Sequence, residues 1–148
     1  LLHLIIVKTI HMRLITFIST GIFIVCSAFI MKKENQTTSL YETKWSLKKM
    51  HTDSGTEEVN SNAFIKFDKD KQSAGGNGSC NSFGSTISVE KNKISFKNIF
   101  STKMYCDDVQ QTEDTYFKLL GKVNKFKIEE KKLLLYLDND LLLEFILE

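Results

Sequence analysis

Apolar and polar positions alternate through much of the second half of the chain. Phe83, Ser85, Ile87 and Val89 alternate with Gly84, Thr86, Ser88 and Glu90, and Ile94 and Phe96 alternate with Lys93, Ser95 and Lys97. A two-residue period puts one set of side chains on each face, which predicts strands. The polar link Glu90-Lys91-Asn92-Lys93 between them predicts a hairpin turn. Phe126 and Ile128 continue the alternation, then Leu133, Leu135 and Leu137, then Leu141, Leu143, Phe145 and Leu147 after the turn Asp138-Asn139-Asp140. Trp45 with Leu47, and Ala63 to Phe67, fit two earlier strands.

One stretch changes period. Val109, Thr112, Glu113, Tyr116, Phe117 and Leu120 recur at spacings of three and four. This predicts a helix whose buried stripe is mainly Val109, Tyr116, Phe117 and Leu120. Asp107 or Asp108 is expected to cap its N-terminus, and Gly121 to end it in a left-handed conformation. The fold class is therefore α+β and β-rich, with about seven mostly antiparallel strands and one packed helix. Leucines on both faces of the last two strands favour a curled sheet or cracked barrel over an open sheet.

The first segment breaks from this pattern. Leu14 to Met31 is an uncharged run of 18 residues, preceded by Met12-Arg13 and followed by Lys32-Lys33. Met12 is a candidate true start. Read from there, one positive charge and an apolar core ending at Cys26 fit a secretory leader. A cysteine at that place is similar to a bacterial lipobox, where it carries the lipid, although Val25 stands where a small residue is usual. An uncleaved membrane anchor and ordinary cleavage are the other readings, since 18 residues is near the minimum for a span. Each places the remainder outside the cytoplasm, in the cell envelope. Residues 1–31 are thus read as leader or anchor, 32–40 as a polar tether and 41–148 as the domain.

Charge then narrows the partners. The formal net charge is +2, and Lys8 and Arg13 are the charges of residues 1–25, so the rest of the chain is balanced. A nucleic-acid binder carries its basic charge on the folded part, so no nucleic-acid partner is expected. The expected partners are a membrane, reached through the N-terminal segment, and an envelope protein or apolar ligand.

At Gly76-Asn77-Gly78-Ser79-Cys80-Asn81-Ser82-Phe83 the chain resembles the META domain family, which includes HslJ-like heat-shock proteins. The resemblance continues at Ser101-Thr102-Lys103-Met104-Tyr105-Cys106, with Trp45 in the first strand and Glu113 and Phe117 in the helix. The motif residues matched are Trp45, Gly78, Cys80, Asn81, Thr102, Met104 and Cys106. Ser79 and Ser85 stand where glycines are common in the family, and serine is costlier than glycine at positive φ. The resemblance implies a compact β-rich domain in envelope proteins, with no catalytic residues to carry over. It also implies a similarity to small cracked-barrel lipoproteins, some of which hold an apolar ligand.

Three cysteines in an exported chain leave one over. Lipidation of Cys26 would leave Cys80 and Cys106, which flank the hairpin at 83–97. A disulfide between them is the favoured pairing in an oxidising compartment. Two buried, reduced thiols are the alternative.

Other chemistry is weakly signalled. His51 is the one histidine after the leader, too few for a zinc site or a Ser-His-Asp triad, and reads as a solvated loop residue. The Gly75-Gly76-Asn77-Gly78 run lacks the Gly-Lys-Ser/Thr ending of a phosphate loop and reads as a tight turn or bulge requiring positive φ. Glu129-Glu130 and Asp138 with Asp140 read as hairpin tips. The aromatic residues are mostly phenylalanines at alternating inward positions and read as core rather than a base-stacking surface. No enzyme activity, metal or cofactor is expected. The function expected is that of a non-catalytic envelope domain, with a carrier of a small apolar molecule as the alternative.

Overall fold

The computed structural model describes residues 38–41 and 43–148. The leader, Cys26 and most of the tether lie outside the described residues. The described part begins inside the segment read as tether. Thr38 donates to the Glu130 carbonyl at 2.8 Å, and Leu40 is buried, its carbonyl accepting from Trp45 Nε1 at 3.1 Å. Residues 38–40 are therefore part of the packed domain.

Nine antiparallel strands form one curled sheet. In chain order they are β1 (Trp45–Thr52), β2 (Gly55–Glu58), β3 (Phe64–Asp68), β4 (Ser73–Asn77), β5 (Ser82–Glu90), β6 (Lys93–Ser101), β7 (Lys125–Glu129), β8 (Lys132–Leu137) and β9 (Asp140–Leu147). The sheet runs in the order β2-β1-β3-β4-β5-β6-β7-β8-β9, and β9 returns to pair with β1 from Trp45↔Leu147 to Met50↔Leu143. The closure is uneven. Between β6 and β7 the paired position is Lys93↔Lys125, after which β6 diverges. Helix α1 (Gln110–Leu120) connects those two strands, and Ile99 of β6 lies beside its C-terminal Gly121.

Two strands go beyond the seven expected. β2 has four exposed residues, Gly-Thr-Glu-Glu, and no apolar alternation to betray it. β4 contains Gly75 and Gly76, so the glycine run is mostly strand rather than turn. Positive φ falls next to the run, on Ser79 at 121°. The glycines serve close approach: a Cβ on Gly76 would run into the Phe64 carbonyl of the neighbouring strand.

The core follows the alternation. Trp45, Leu47, Ile65, Leu133, Leu135, Leu143 and Phe145 are all fully buried inside the curl. Tyr116 of α1 joins them, edge-on to Phe83 at 5.7 Å and near Phe145 at 6.1 Å. The interior on which the apolar-carrier reading rests is thus occupied by side chains. Leu134 is buried on the outer face, in the row Lys127–Leu134–Glu144–Lys49, whose long stems cover it.

Both expected helix caps differ from the structure. Val109 is the N-cap residue and no side chain caps the helix. Asp107 instead accepts from the Tyr105 hydroxyl at 3.0 Å, while the Cys106 carbonyl takes the N–H groups of Val109 and Gln110. Gly121 is right-handed, with φ −67°. The chain leaves the helix through tightening turns, Lys122 to Leu119 and Val123 to Leu120, so no left-handed residue is needed. The buried stripe is Glu113, Tyr116, Leu119 and Leu120; Val109 and Phe117 are half-buried.

Candidate functional site

The motif residues converge at the end of the curl covered by α1. Asn81 is the last residue of the β4–β5 connection and is 3% exposed; Glu113, one turn into α1, is 2% exposed. A buried carboxylate needs several donors to replace its water. Glu113 has three. Its Oε2 accepts the backbone N–H groups of Cys80 at 3.1 Å and Asn81 at 2.6 Å, and its Oε1 accepts from Asn81 Nδ2 at 2.6 Å.

Asn81 then reaches the next segment. Its Nδ2 also donates to the Met104 carbonyl at 2.9 Å, and its Oδ1 accepts from Met104 N at 2.8 Å and the Thr102 hydroxyl at 2.7 Å. The amide thus uses both ends on the backbone of one residue, as a neighbouring strand would. The Asn81 carbonyl accepts from Gly78 N at 2.8 Å. Gly78 has no room for a side chain, since a Cβ there would sit 2.5 Å from Phe117 Cζ and 2.7 Å from Glu113 Oε2.

A disulfide joins Cys80 to Cys106, with their Cα atoms 6.0 Å apart. It ties the same two segments that Asn81 ties. Ser79, a non-glycine residue at positive φ, is held locally: its N–H donates to Asn77 Oδ1 at 2.9 Å and its hydroxyl pairs with that of Ser61 at 2.7 Å. Gly78, Cys80, Asn81, Thr102, Met104 and Cys106 therefore form one clasp with Glu113. Trp45 lies apart, fully buried in β1.

The side chains of the clasped segment face outward. Phe100, Met104 and Tyr105 are 70%, 59% and 76% exposed. Phe100 is an exception to the mostly inward phenylalanines. Residues 94 and 96 point in, but a bulge lies where Gly84 pairs with Phe100 and Thr86 with Lys97. Asn98, at φ 52°, takes up the extra residue, and the inward phase passes to Ile99.

His51 is also corrected. It lies in β1, half-buried, with Nδ1 2.9 Å from the Thr56 hydroxyl and Nε2 sealed from solvent without a partner among the described residues. Tyr116 likewise has a buried hydroxyl with no described partner, and burial pushes its phenol far above the ordinary range. Among the described residues, no three His, Cys, Asp or Glu side chains gather as a metal site would require. Glu129 pairs with Lys127, and Asp138 exchanges two 2.8 Å bonds with Asn124.

The sequence had no signal for the Ser61–Ser79 bond or for the two sealed polar atoms. Glu113 was legible through its family position, and its carboxylate works as an acceptor for the Cys80 and Asn81 backbone.

Comparison with known proteins agrees with the fold. An NMR structure of a protein from Burkholderia xenovorans shares the fold at a TM-score of 0.62 and 21% identity, covering 74% of this chain and 83% of that one. A second NMR structure gives a TM-score of 0.51 at 17% identity, covering 70% and 88%. No curated protein matches the sequence. The META domain family model matches residues 38–147, the whole described sheet and helix with the clasp at its end, and the chain belongs to the META domain family.

Proposed function

We propose that this chain is a non-catalytic META domain protein of the cell envelope. It is held there as a lipoprotein through Cys26 and acts as a binding or envelope-maintenance module under stress. The observation that carries the non-catalytic reading is the clasp itself. Glu113 and Asn81, the buried polar pair of the motif, spend their acceptors and donors on backbone and on each other. A catalytic carboxylate must reach the group whose proton it moves, whereas Glu113 is 2% exposed and turned to backbone donors. The envelope reading is supported by the apolar run ending in a cysteine and by the Cys80–Cys106 disulfide, which suits an oxidising compartment.

Metabolic labelling with a palmitate analogue, followed by fractionation, tests the reading. The parent chain is expected to carry label and to sediment with membranes, and Cys26→Ser to lose the label. An unlabelled parent that fractionates with the cytosol would overturn it.

A further inference from the structure

The outer face of β3 to β6 has an unusual composition, visible from the strand registers. One row crosses four strands as Lys66↔Gly75↔Gly84↔Phe100. Its two central positions have no side chain. The Phe100 ring lies over the second of them: a Cβ on Gly84 would be 2.6 Å from Cζ and 3.1 Å from Cε1. The ring is nevertheless 70% exposed, so it forms a flat apolar plate beside a floor of bare backbone.

The rows on either side are mostly polar. Asp68↔Ser73↔Thr86↔Lys97 is one and Phe64↔Asn77↔Ser82 is the other, with Lys44 Nζ over the Phe64 ring at 4.7 Å. The hydroxyls of Ser73, Ser82 and Thr86 make no hydrogen bond to a described residue. Toward β3 the floor opens into a cleft of about 810 Å³ walled by Ser39 and Tyr41. The face therefore offers one aromatic plate on the floor, a second aromatic residue at its far side and free hydroxyls between.

Charge selects among ligands. The glycine floor and the Phe100 plate carry no charge; Lys66 and Lys97 stand at the flanks, Lys69 and Asp70 line the cleft, and Asp68 is paired with Lys71. A polyanion or an anionic bilayer finds scattered rim lysines rather than a basic floor. A peptide adding to the sheet would take a strand edge, such as β3 beyond Ile65 or β6 beyond Lys93, rather than this face. An uncharged polymer with flat C–H faces and many hydroxyls matches each feature. Sugar rings stack their C–H face on aromatic plates, and their hydroxyls bond to Ser, Thr and Asn. Four strands span about 14 Å, the reach of a few sugar rings.

We propose that the outer face of β3–β6, with its Gly75–Gly84 floor and Phe100 plate, is a binding surface for an extended, uncharged glycan strand. This deepens the envelope reading by naming a ligand class, but it is measured on purified protein and does not depend on where the chain resides.

The test uses the full chain in a sugar-free detergent, with insoluble chitin and cellulose for co-sedimentation, and chitohexaose and cellohexaose for calorimetry and NMR titration. At least one oligosaccharide is expected to bind, with amide shifts confined to residues around Gly75, Ser82, Gly84 and Thr86. Phe100→Ala, at an exposed position, is expected to keep the fold and weaken binding at least tenfold. His51→Ala, remote from this face, is expected to bind as the parent does. No binding to any of the four glycans would overturn the proposal, as would shifts mapping elsewhere or an affinity that Phe100→Ala leaves unchanged. Binding to anionic vesicles in place of glycan would also overturn it.

Discussion

Glu113 shows how one side chain can govern three segments. Two backbone N–H groups that β5 cannot use, those of Cys80 and Asn81, end on its Oε2. Replacing it by alanine leaves both buried without an acceptor, and each unsatisfied group costs about 1–3 kcal/mol. Glu113→Ala is therefore expected to lose about 3 kcal/mol or more, seen as a lower urea midpoint at unchanged slope. Glu113→Gln keeps an oxygen for the two N–H groups but turns an amide donor toward Asn81 Nδ2, so its loss should be smaller. An alanine variant as stable as the parent would mean that the clasp carries no stability. The motif that pointed to the family was legible as a string of residue types. Its physical role was not, because the partners lie 21 to 33 residues apart and a string carries no distances.

At the scale of elements, legibility tracked apolar alternation. The strands with a core-facing apolar set were visible from it, down to the turn at Lys91-Asn92. β2 and β4 were not, since one is wholly exposed and the other is half glycine, and in both the backbone pairing rather than side-chain burial makes the strand. Two glycines then carry opposite expectations. At Gly76 a methyl would meet the Phe64 carbonyl, which is fixed by the ladder, so Gly76→Ala is expected to destabilise by about 1–3 kcal/mol, the usual range for overpacking. At Gly121 the backbone is right-handed and the nearest atom to an added Cβ is 3.6 Å away. There alanine chiefly reduces the freedom of the unfolded chain, and Gly121→Ala is expected to stabilise by about 0.4–1 kcal/mol. Thermal melts of the two variants separate a glycine needed for space from one that is not. The left-handed cap expected at Gly121 would have predicted a loss there too.

For the molecule as a whole, the question is what holds the curl closed where pairing is thin. β1 and β9 close one side with a long ladder, whereas β6 and β7 meet at a single paired position, and α1 connects them there, with Ile99 of β6 beside Gly121. The helix is anchored at its start by the Cys80–Cys106 disulfide and by Glu113, so the bond and the clasp act on the same weak seam. The cysteines are 26 residues apart, and closing a loop of that size removes about 3 kcal/mol of unfolded-chain entropy. A domain of about 110 residues buries about two-thirds of its surface, enough to fold without the bond. The reduced protein is therefore expected to remain folded and to melt about 12–24 °C lower, taking 4–8 °C for each kcal/mol in a domain of this size. Calorimetry of the parent with and without reductant, beside a Cys80→Ala/Cys106→Ala variant, checks this. Two melts that coincide would show that the seam is held by α1 and the polar clasp alone. A reduced chain that does not fold would show that they cannot hold it.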